Sequence, residues 1–183
     1  MHKRSSALIA LVLMLCLIAV SLAWGAYKGW TQERKQVDST MGALLLVLDA
    51  RSEVGANILT VARRHLQAGD PLLQALRRDI QVLSENGSLS QKAQANGRLD
   101  EDARAVLAAL SALPSVQDDV RDLQYVTQML PQALEQSERL AEQAAYNQAA
   151  IDFNQRLTGS FSGRIAQLLG ITQAELIIQQ EGI

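Results

Sequence analysis

"VDSTMGALLLVLDARSEVGANILTVARRHLQAGDP", residues 37–71, is the stretch that decides the fold. Its apolar positions, Val37, Met41, Leu44, Leu45, Leu48, Gly55, Ile58, Leu59, Ala62 and Leu66, are mostly three and four apart, the period of one helix face. An amphipathic helix of about 30 residues is predicted. Its stop is written in "AGDP": Gly69 suits the position just past a helix end, Asp70 an N-cap and Pro71 the first residue of the next helix.

Nothing between Trp30 and Val37 breaks a helix, so the same rod is expected to run back into "ALIALVLMLCLIAVSLAWGAY", Ala7 to Tyr27, which carries no charge. At about 1.5 Å per residue that run covers roughly 30 Å, the hydrocarbon thickness of a bilayer. Residues 7–27 therefore read as a transmembrane helix behind a basic flank, residues 1–6, with Trp24, Tyr27 and Trp30 as ring anchors at the lipid–water interface. The competing reading is a signal cut after Ala23 in "SLA", which the length of the apolar run disfavours. Leu15 before Cys16 argues against lipid attachment, and a single cysteine excludes an intramolecular disulfide. The GxxxG of Gly25 to Gly29 sits at the edge of the run and carries Lys28, so it reads as a chance match. Basic residues flank both ends; the short basic start favours an uncleaved signal-anchor with the following domain extracytoplasmic.

A net charge of −2 lacks the basic excess that phosphate neutralisation needs, so nucleic acid is not an expected partner. Only three prolines in 183 residues favour helix, and residues 31–183 suffice for one helical domain. A second helix follows Leu72, Leu73, Leu76, Ile80 and Leu83 and ends near "ENGS"; Asn86 to Gly97 reads as an exposed connection, its sequon at Asn86 as a turn. A third helix opens on Asp100 to Asp102 and buries Val106, Leu107 and Leu110. Pro114 breaks it. Ser115 with Asp118 resembles a capping box opening a fourth helix of roughly 40 residues, with Val116, Val120, Leu123, Val126, Leu130, Leu134, Ala144 and Ile151 on its apolar stripe and a kink at Pro131. "TGSFSG" ends that helix, and Thr172 with Glu175 predicts a short terminal one. The fold expected is all-α: a transmembrane helix followed by an antiparallel bundle of about four helices.

Catalytic patterns are missing from this inventory. His65 has no i+4 partner and reads as a surface residue; Glu135, Glu138 and Glu142 read as a solvated face. "GSFSGR" lacks the Lys of a phosphate loop, and Phe161 fills the centre of what would be a nucleophile elbow. No metal, no cofactor and no enzymatic activity are expected.

One repeat is unusual. Tyr146-Asn147 and Phe153-Asn154 stand seven residues, two helical turns, apart. With Arg51, Glu53 and Asn57 they make the chain resemble the LemA family of bacterial membrane-anchored proteins, whose first long helix carries Arg, an acidic residue and Asn, and whose late helix carries Y-N-x-A-V-x-x-Y-N. Here that motif is matched at Tyr146, Asn147, Ala149 and Asn154, with Ala150 in place of its Val and Phe153 in place of its second Tyr. "LPSV" at 113–116 is similar to the family's Y-P-x-L, and "RIAQLLGI" ending at Ile171 to its I-A-x-x-x-G-F. "GSFSG" departs from the family's Phe-Pro, and Gln143 from its late Arg, which marks a divergent member. The resemblance implies an anchor and an antiparallel bundle and assigns no catalytic residue. Asn57, Asn147 and Asn154 are then expected to meet across the bundle near Arg51, fixing helix register as core asparagines do. The function expected is a non-enzymatic scaffold or interaction module held in the bilayer through residues 7–27, with other membrane or envelope proteins, or a second copy, as partners. The alternative is a ligand-sensing bundle with a small molecule between its helices.

Overall fold

The computed structural model describes residues 2–138 and 140–177, with side chains from Ala10 to Glu138 and Glu142 to Ile177. Among them are eight α-helices and one π turn, and no strand. Helix α1, His2–His65, is the uninterrupted rod expected from the absence of breakers. It ends at "AGDP", where Asp70 accepts from the Leu72 N–H at 2.9 Å and Pro71 opens α2, Pro71–Ser84. Gly69 is not the left-handed residue its position suggested, because a turn from Asp70 N–H to the Gln67 carbonyl closes the end instead.

The expected connection over 86–97 is mostly helix. Helix α3 runs Leu89–Ser111, eleven residues earlier than Asp100, nucleated by a capping box in which Ser88 and Gln91 each satisfy the other's backbone N–H. Its buried face there is Leu89, Lys92, Ala95 and Leu99, and Lys92 lays its stem along the core while Nζ donates to the Leu83 carbonyl at the end of α2.

The single helix of roughly 40 residues predicted after Pro114 is four α-helices and a π turn. Helix α4, Pro114–Gln117, has Leu113 at its N-cap and no side-chain cap; the Ser115 hydroxyl pairs with His65 instead of forming a capping box. Asp119 then caps α5, Val120–Gln124, through the N–H groups of Arg121 and Asp122. The break rotates Val120 out to 81% exposure and puts Asp122 inside. A π turn, Tyr125–Met129, leads into α6, Leu130–Ser137. Pro131 has no N–H and its ring crowds the carbonyl four residues back, so the wider turn just before it accommodates the proline that a regular helix would not. Helix α7, Leu140–Gly159, buries Tyr146, Ala150, Phe153 and Leu157, a stripe offset from the predicted Ala144, which is exposed, and Ile151, which is half-buried.

Helix α8, Phe161–Leu168, is capped by Ser160 and closed by Gly170 at φ 95°, with Ile171 N–H on the Ala166 carbonyl and Gly170 N–H on the Gln167 carbonyl. Residues 171–177 are non-helical, so Thr172 and Glu175 cap no terminal helix. The glycine turns the chain away, and its backbone finds partners elsewhere.

The chain divides into two compact units, Met1–Thr40 with Gln148–Glu175, and Met41–Asn147 with Leu176–Ile183. In the first, Trp30 is buried with its ring edge-to-face on Phe153, centroids 5.8 Å apart, and its indole N–H donates to Ser162 Oγ at 3.4 Å. Trp30 is thus a core residue and not the interface anchor expected of it. Gly163 packs so closely that a Cβ there would lie 2.0 Å from the Leu157 carbonyl oxygen. In the second unit, Leu44, Leu48, Ile58 and Ala62 of α1 are buried, as their spacing predicted, along with Leu76, Leu83, Leu99, Val106, Leu110, Val116, Val126 and Leu134. Gly55 is where α1 meets α2 and α3: an added Cβ would stand 3.0 Å from Ile80 Cγ1 and 3.1 Å from Leu99 Cδ1.

Candidate functional site

Arg51 is the polar centre of the second unit. One turn beyond Leu48 on the buried face of α1, its side chain is 3% exposed. Nε donates to Asn96 Oδ1, and Nη2 lies 3.4 Å from Asp100 Oδ1. Asn96 and Asp100 are four apart on α3 and so share one face. Asp100 also accepts from Arg104 Nε at 2.7 Å, and Arg104 stands 4.0 Å from Glu138. Burial raises Asp100, but the hydrogen bonds and charges of Arg104 and Arg51 outweigh it and hold its carboxyl below the usual range. Arg51 Nη1 is buried with no hydrogen-bond partner. Beside it lies a cavity of about 220 Å³ with Leu44, Val47 and Leu48 on one wall and Asn96, Asp100, Glu101, Glu138 and Gln143 around the rest.

A second cluster lies at the end of α1. His65 Nε2 is 2.9 Å from Asp122 Oδ2 and Nδ1 is 3.0 Å from Ser115 Oγ, while Arg64 donates to Asp122 Oδ1 at 2.9 Å. The hydrogen bond from His65, then the Arg64 charge, hold the Asp122 carboxyl below its ordinary value despite burial. His65 is therefore an internal joint and not a bland surface residue. Its partners stand 50 and 57 positions away, a distance over which sequence spacing carries no signal.

The asparagine repeat has a different use from the one expected. In the first unit Asn154 Nδ2 donates to the Ala174 carbonyl at 2.8 Å and Oδ1 accepts from the Ala174 N–H at 2.7 Å. In the second, Asn147 makes the same exchange with Ile177, at 3.1 and 3.0 Å. A side-chain amide carries the donor and acceptor of a peptide group, so each asparagine pairs with one residue of non-helical backbone as a neighbouring strand would. The amides therefore do not bond one another, and Asn57 is exposed on α1, as is Glu53. Tyr146 and Phe153 are almost fully buried.

Of the family-motif residues Arg51, Glu53, Asn57, Tyr146, Asn147, Phe153 and Asn154, Arg51 alone lines the cavity. Asn96 and Asp100 were missed because the first half of α3 looked like a loop; the Ser88–Gln91 capping box was the signal that gives it away. Among the described residues no three His, Cys, Asp or Glu side chains gather as metal ligands. No family model, curated protein or solved structure matches the chain.

Proposed function

We propose that the chain is a divergent LemA-type protein, anchored in a membrane by its N-terminal helix with its remaining helices forming an antiparallel bundle of about four, and that it acts without catalysis as an extracytoplasmic scaffold or interaction module. The observation that carries the anchor is exposure: Leu17, Val20, Leu22 and Trp24 are 64–70% exposed on a helix long and apolar enough to span a bilayer. So large an apolar surface left uncovered needs lipid or protein against it. Trp24 and Tyr27, ring centroids 6.5 Å apart, share a patch with Lys28 and Lys35, which suits the headgroup level. Membranes washed with alkaline carbonate are expected to retain the chain, and Leu15→Arg with Ile18→Arg to release it. Crosslinking in intact membranes is expected to capture a recurrent protein partner or a second copy; monomer alone would refute the scaffold role. The alternative, small-molecule recognition between helices, is favoured by one observation, the cavity beside Arg51.

A further inference from the structure

Three chemistries meet at that cavity. Arg51 brings a buried guanidinium with one nitrogen lacking an acceptor. Buried donors of this kind are rarely left unmatched, and Arg51 is one of the residues lining the cavity. A simple anion is a poor fit, because Asp100, Glu101 and Glu138 also line the cavity. A simple cation is a poor fit too, because Arg51 and Arg104 already occupy Asp100. A molecule bearing both charges satisfies each set. The wall of Leu44, Val47 and Leu48 asks for an aliphatic group, and about 220 Å³ is below the roughly 300–1,000 Å³ of drug-sized sites.

We propose that this cavity binds a small aliphatic α-amino acid, its carboxylate on Arg51, its ammonium on Glu101 and Glu138, and its side chain against Leu44, Val47 and Leu48. Arg51 suits the first role because its planar fork pairs with carboxylates in a fixed geometry. Glu101 and Glu138 are exposed, so their charge can be removed without opening the core. The inference rests on the small-molecule reading above and names its ligand class.

The test is calorimetric titration of the full chain in lipid nanodiscs with L-leucine, 4-methylpentanoate, which lacks the amine, and 3-methylbutylamine, which lacks the carboxylate. Leucine is expected to bind saturably at one site, and each analogue at least about tenfold more weakly, the loss from one charge-assisted contact. Glu101→Gln combined with Glu138→Gln is expected to weaken leucine about tenfold and to strengthen 4-methylpentanoate, whose carboxylate no longer faces two like charges. Equal binding of leucine and either analogue, or of leucine by the wild type and the double variant, overturns the amino-acid assignment while small-molecule recognition stands. Absence of heat with all three probes overturns both.

Discussion

Asn154→Ala removes one side chain and strands two backbone groups. Ala174 is 6% exposed, and its N–H and carbonyl are both held by the Asn154 amide, at 2.7 and 2.8 Å. Each such bond contributes about 1 kcal/mol net, so the pair amounts to about 2 kcal/mol. The loss is bounded from above, because a released segment exchanges the amide for water. Two kcal/mol corresponds to about a thirtyfold change in an opening equilibrium. Amide hydrogen exchange of the full chain in nanodiscs is expected to show the Ala174 N–H losing about thirtyfold of its protection, and the denaturant midpoint to fall with an unchanged slope. Asn57→Ala, on an exposed face, serves as the control and is expected to change stability by under about 0.5 kcal/mol. Asn154→Asp keeps the acceptor for the Ala174 N–H but sets a charge against the carbonyl, so its defect should shrink on acidification, as the protonated acid regains a donor. Unchanged protection at Ala174 in Asn154→Ala would refute the reasoning, since the two bonds would then have contributed nothing.

Gly163→Ala should cost about 3 kcal/mol, the upper range for overpacking, because the added carbon meets the Leu157 carbonyl group, which is backbone and cannot swing aside; a denaturant midpoint close to wild type would count against this. Gly55→Ala should come out within about 1 kcal/mol of wild type, since helix propensity gained offsets contact with side-chain ends of Ile80 and Leu99, whereas Gly55→Val should be clearly destabilised in the same assay. The Asp122 carboxyl is held below its unfolded value of about 3.9, so its contribution is complete above that pH and is lost as pH falls through the folded value. Asp122→Asn should therefore be less stable at neutral pH and lose less as pH falls below about 4, as read by denaturant midpoints across pH; parallel wild-type and variant curves would contradict it. Asp79 runs the other way, because burial raises it against the Arg98 hydrogen bond, and Asp79→Asn should remove a contribution that grows as pH falls.

The long helix and its stop were legible because each rests on local chemistry: period for the face, and Asp70-Pro71 for the junction. The start of α3 was obscured because its inner face uses Ala95 and the stem of Lys92 where large apolar residues were sought. The two misread capping boxes fail for a shared reason. Ser115 and Thr172 have the right spacing to Asp118 and Glu175, but the Ser115 hydroxyl is taken by His65, and the chain beyond Gly170 is committed to asparagine amides before a helix can start. Competition from residues 20 to 50 positions away decides both, and no local window contains it. For the cavity, Arg51 was legible as a polar residue on an apolar stripe, while Asn96 and Asp100 become its partners only once α3 is extended back to Leu89.

The π turn at Tyr125–Met129 carries a consequence for chain length. A residue of α-helix advances the face by about 100°. Deleting one position between 125 and 129 would restore ordinary winding and keep the flanking faces in phase, but it would press Pro131 against the carbonyl it now avoids. Substitutions that keep the residue count leave the wide turn and the room it gives Pro131 intact, so this segment should tolerate changes of side chain far better than the loss of a single peptide unit.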